Sequence, residues 1–131
     1  MPRTALLAST LFAAAVTCCG FAAARAGVPS PLPAGFLWAG ALVPAVHAAR
    51  VVARDGGGAP GRWLVPALGP PLGMAVWAAY ALASTPGTGT DSPTWLLVAA
   101  YGLGAVTVAG VGAAVGALLR RVDAGRLRGD A

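Results

Sequence analysis

Three basic side chains give this 131-residue chain its clearest opening for chemistry. His47, Arg50 and Arg54 are spaced so that, at about 100° per residue, they share one side of a helix, with Phe36 and Gly40 continuing the stripe. His47 is the only ionisable residue well inside an apolar stretch, and such residues are functional candidates because burying them in hydrocarbon is costly. The stripe suits an anion: a lipid headgroup, a phosphate-bearing substrate or a carboxylate at the inner leaflet. The plainer reading, which carries more weight, is a neutral histidine bonded to a backbone carbonyl while the two arginines extend toward the interface.

Other chemistry is sparse. Bis-histidine haem ligation needs two histidines and the chain has one, so no cofactor is expected. Cys18 and Cys19 are adjacent, and successive helical side chains diverge, which suits small apolar filler better than a metal or redox pair. All four acids, Asp55, Asp91, Asp123 and Asp130, fall in links or the tail. With no carboxylate inside an apolar stretch, a proton relay is short of parts, which argues against an exchanger of the small multidrug-resistance type. No nucleophile stands beside a matched base, so no catalytic residue, no metal ligand and no enzymatic activity are expected.

Small residues carry the strongest packing signal. Gly112 and Gly116, overlapped by Ala105, Ala109, Ala113 and Ala117, make a smooth ridge that a second helix can approach closely, within one chain or between protomers. Gly69 and Gly73 form a second small pair. Between and beside them Pro66, Pro70 and Pro71 remove backbone donors and disfavour helix at the preceding residue, which predicts a kink or short unwound stretch. Broken helices can build substrate sites from freed carbonyls, but a structural bend is the favoured reading.

Positioning these residues requires helices that cross a membrane. Apolar runs over about 4–24, 32–53, 63–84 and 94–119 each approach the roughly 20 residues that span a hydrocarbon core, and in lipid each must be helical to satisfy its own backbone. The expected fold is therefore all-α: one polytopic transmembrane domain over 1–131, a compact bundle of four helices with the third kinked, and a short, loosely ordered basic tail over 120–131. A Pro-rich outer link (28–33), a Gly-rich inner link (55–61) and a polar outer turn (85–93) join the spans. Trp63, Trp95 and Tyr80 stand near span ends, where amphipathic rings favour the interface, whereas Trp38 and Trp77 lie deeper and read as packing residues. Eight of the nine arginines fall on one side of this arrangement and only Arg25 on the other, which predicts a multi-pass plasma-membrane protein with both termini cytoplasmic. The first span also reads as a signal peptide ending at Ala24-Arg25-Ala26, but its apolar region is longer than the usual 7–15 residues, which favours a retained helix. The echo of Leu42-Val43-Pro44-Ala45 in Leu64-Val65-Pro66-Ala67 is too short to indicate an inverted repeat.

Composition agrees with this placement. The chain is 57% hydrophobic and only 10% charged, against about a quarter charged in soluble domains. It has no Lys, Glu, Asn, Gln or Ile, much of which follows from the codon usage of a GC-rich, bacterial genome. Its net charge of +5 comes from arginines that flank apolar runs rather than forming a patch with interleaved aromatics, so anionic headgroups are the expected partner and nucleic acid is not. The leading expectation is a non-enzymatic accessory or structural component of the inner membrane that packs with itself or within a larger complex through its small-residue ridge. The alternative is a small anion or small-molecule transporter or channel, including a holin-like pore, using His47, Arg50 and Arg54. A third, an enzyme acting on a lipid, rests only on the same basic face.

Overall fold

The computed structural model describes residues 3–56, 60–84 and 94–129, with side-chain surroundings for all of these except 94 and 126–129. It contains α1 (Arg3–Arg25), α2 (Leu32–Asp55), a short α3 (Gly61–Leu64) that runs through a 3-10 turn (Val65–Leu68) into α4 (Gly69–Ser84), and α5 (Thr94–Gly129). There is no strand among the described residues. Four helical stretches, Arg3–Arg25, Leu32–Asp55, Gly61–Ser84 and Trp95–Gly125, are long and apolar enough to cross a membrane. The polar turn at 85–93 with Asp91, the glycines of the inner link at 57 and 58, and Asp130 lie outside the described residues.

Local chemistry explains where the helices begin and end. Pro33 sits in the first turn of α2, where a missing N–H costs nothing. Gly56 closes α2 in the left-handed region at φ 69°, and its N–H donates to the Val52 carbonyl at 3.0 Å, a conformation that a side chain at this position would strain. Around the prolines of the third apolar stretch the backbone stays helical but tightens to 3-10 over Val65–Leu68. Pro66 has no N–H to offer the carbonyl four residues back, at Arg62, so the α pattern is interrupted there.

The basic tail departs from expectation. Instead of loosening after Leu119, α5 remains helical to Gly129. The residues beyond Leu119 include Arg, Ala and Leu, all strong helix formers, and no proline, so the helix that begins at Thr94 continues through them.

The helices close into a ring. α2 packs most extensively on α5 and next on α1, α1 packs on α4, and α4 completes the ring more loosely against α5. Glycines make the three tight contacts possible. A Cβ on Gly20 would lie 2.9 Å from Leu37 Cδ2, and one on Gly40 would strike the Thr17 hydroxyl, so α1 and α2 approach closely. Gly69 and Gly73 lie against Ala13 and the backbone of Ala14 in α1, while Gly112 and Gly116 lie against the carbonyls of Ala45 and Ala49 in α2. The fourth contact has no such pair: a Cβ on Gly102 would meet Pro71 only at 3.7 Å, ordinary van der Waals distance.

The core is correspondingly small in side chain. Ala48, Ala67, Ala105 and Ala109 cluster at its centre, with Trp63 and Ala113 packed against them. Large apolar residues face outward, including Leu103 at 72% exposure and Trp38 at 70%, so Trp38 is a surface residue rather than the expected packing residue. An Ala- and Gly-lined interior beneath a Leu-, Val- and Trp-rich exterior is the arrangement a bilayer favours. There the association of helices depends on close packing, and the outer surface has no need of polar cover.

Candidate functional site

His47 faces into the bundle. Its neighbours along the same side of α2, Pro44, Ala48 and Val51, are all buried, and the histidine itself is only 8% exposed. Across the interface Ser9 Oγ of α1 lies 3.1 Å from His47 Nδ1. With the hydroxyl donating, Nδ1 accepts and the ring proton resides on Nε2. One residue on, Thr10 Oγ1 donates to the Leu6 carbonyl at 2.9 Å and reaches the Val65 carbonyl at 3.4 Å. A polar seam thus runs from α1 to α2 and to the start of the 3-10 turn.

Nε2 is buried and has no hydrogen-bond partner among the described residues. The backbone of Arg62 nevertheless acts on the imidazole electrostatically, and its carbonyl is the one Pro66 cannot satisfy. Where the plainer reading expects a backbone carbonyl, the contact seen at His47 is with the Ser9 side chain.

The arginines part company with it. Arg50 and Arg54 are both exposed, although Arg50 remains within Coulombic reach of the ring. The helical stripe is real in register, but depth along the helix divides it. His47 lies where α1 and α3 cover α2, whereas the long arginine side chains near the end of α2 extend past that cover. The concavities lie elsewhere. An apolar groove of about 390 Å³ runs between α2 and α5, bordered by Trp38, Pro70 and Tyr101. A hollow of about 300 Å³ where α2 ends against α5 includes Arg120 and Arg121.

The packing residues expected from sequence are all placed at helix contacts: Gly112 and Gly116 against α2, Gly69 and Gly73 against α1. This resolves one alternative left open by the sequence. The small-residue ridge of α5 is occupied by α2 of the same chain, so it is not a free face for a second protomer.

Several participants are not apparent from the sequence reading. Ser9, Thr10 and Thr17 are unremarkable in an Ala-rich run, yet all three sit at helix contacts, and Thr17 is fully buried with its hydroxyl donating to the Ala13 carbonyl at 2.8 Å. Their polarity inside an apolar span was the available signal. Phe21 stacks on Trp77 with centroids 5.2 Å apart and meets Tyr101 at 5.4 Å, which makes Trp77 the packing residue expected of it. Tyr80 and Trp95 are exposed near helix ends, and Cys18 and Cys19 are free thiols.

No protein family, curated protein or solved structure matches the chain. Function is therefore argued from the site alone.

Proposed function

We propose that the chain is a multi-pass protein of the plasma membrane, both termini cytoplasmic, with a non-enzymatic accessory or structural role. The arginine asymmetry supports the orientation, and the small-inside, large-outside distribution supports insertion. One observation carries the role: His47, the ionisable residue well inside an apolar stretch, is engaged with Ser9 in a helix contact and lines neither of the two concavities described. The chain's polar interior thereby serves cohesion. Because the glycine ridges are used internally, association with a larger complex would proceed through the outward Leu- and Val-rich faces and the headgroup-level arginines.

Reconstitution tests this reading. Vesicles carrying the purified chain should pass chloride and phosphate no faster than protein-free vesicles, and site-specific photo-crosslinkers on the outward faces of α1 and α5 should trap one reproducible complex in native membranes. Anion flux that disappears in His47→Ala would replace it with the transporter or pore reading.

A further inference from the structure

Two arginines that topology alone would account for are gathered by the fold into a cavity. Arg120 and Arg121 follow the apolar part of α5, and with Val52, Gly56, Ala117 and Ala124 they line the hollow of about 300 Å³ where α2 ends against α5. Arg120 lies against Gly56, its guanidinium resting across the end of α2 where a Cβ at position 56 would meet it. The last carbonyls of a helix carry partial negative charge, which holds a guanidinium in place at this point. Arg120 and Arg121 together bring two positive charges to the hollow.

The rest of the lining is apolar: Val52, Ala117 and Ala124. The hollow also lies beside the point where the membrane-length stretch of α2 ends, at Asp55. Charge on one wall and hydrocarbon on the other, at the level where an apolar span stops, is the environment of a phospholipid's phosphate and glycerol. Asp55 and Asp123 are exposed nearby in the chain, but neither lines the hollow. Arg50 and Arg54 are likewise exposed toward the same end of α2 without lining it.

We propose that the hollow between the end of α2 and the Ala117–Ala124 stretch of α5 binds the phosphate of one anionic lipid headgroup through Arg120 and Arg121. The planar guanidinium donates paired N–H groups to phosphate oxygens, and the alanine and valine walls receive the first carbons of the lipid. The size agrees: about 300 Å³ is at the small end of ligand sites, room for a headgroup and glycerol but not for whole acyl chains. The assignment rests on the membrane reading above and is independent of the accessory role.

Native mass spectrometry of the full chain, extracted from vesicles of phosphatidylcholine mixed with phosphatidylglycerol, tests it by counting the lipids each chain retains. The wild type should keep one phosphatidylglycerol in preference to phosphatidylcholine. R120A/R121A should lower that preference roughly tenfold or more, as loss of charge-assisted bonds to a phosphate implies. R50A/R54A removes the same net charge and should change it less than about twofold, since exposed charges outside a cavity are screened. Ala124→Leu fills the hollow while keeping both charges, and should also release the lipid, which separates loss of the site from loss of the fold. Equal losses in the two double-arginine variants, full retention in Ala124→Leu, or displacement of the lipid by millimolar inorganic phosphate would each overturn the assignment. A chain that fails to insert into the vesicles would instead overturn the membrane reading beneath it.

Discussion

Ser9 Oγ lies 3.1 Å from His47 Nδ1, and this one contact ties α1 to α2 across 38 positions of sequence. It turns the residue most suggestive of transport into part of the packing. It also fixes what deleting either partner should do.

Ser9→Ala leaves Nδ1 buried without a donor, and His47→Leu leaves the serine hydroxyl facing hydrocarbon. Each should destabilise the bundle, whereas the combined variant should cost less than the sum of the two, because neither polar group is then stranded. Interhelical hydrogen bonds in membrane proteins couple by about 0.6 kcal/mol on average, and a coupling of that order is expected. Unfolding in mixed micelles titrated with SDS measures the cycle. Strict additivity would mean the contact contributes nothing.

The glycines divide into two classes by what surrounds them. A Cβ on Gly112 or Gly116 would drive into the carbonyls of Ala45 and Ala49, while one on Gly104 or Gly110 meets nothing within 4 Å. Gly112→Ala and Gly116→Ala should therefore cost about 1–3 kcal/mol, because backbone rather than a flexible side chain must move. Gly104→Ala and Gly110→Ala should be neutral or stabilise by up to about 1 kcal/mol through helix propensity. The same SDS titration separates the classes, and equal effects at all four positions would refute the α2–α5 pairing.

Orientation rests on eight arginines against one. A fluorescent protein fused after Ala131 should fluoresce in the cytoplasm, and alkaline phosphatase inserted after Pro29 should be active outside. Moving charge should move topology: Arg50→Ala with Arg54→Ala, combined with two arginines added beside Arg25, should produce a mixed population. A single orientation that ignores these changes would show that something other than arginine placement determines it.

Much of the architecture was legible because it is local. Four apolar runs of membrane length, punctuated by Pro- and Gly-rich links, require four long helices, and hydropathy needs no knowledge of neighbours. The tail was misjudged for a related reason: its charges suggested solvation, but charge does not break a helix, and arginine and alanine extend one. The prolines predict a kink or unwound stretch, whereas the backbone there stays helical and tightens to a 3-10 turn at Val65–Leu68.

The sequence by itself determined four apolar helices, an arginine asymmetry, a scarcity of polar groups within the apolar stretches and an excess of small residues. Only the tertiary structure decided how these are spent. Nearly every helix here carries an Ala- or Gly-lined face, so periodicity cannot say which face meets which. That choice is made by non-local contacts, glycine against the backbone of a particular partner helix. It places Gly112 and Gly116 on α2 of the same chain, covers His47 with Ser9 while leaving Arg50 and Arg54 outside, and lays Arg120 across Gly56. Position along a helix, as much as the side it faces, separates the buried His47 from the exposed Arg50 and Arg54 one and two turns on.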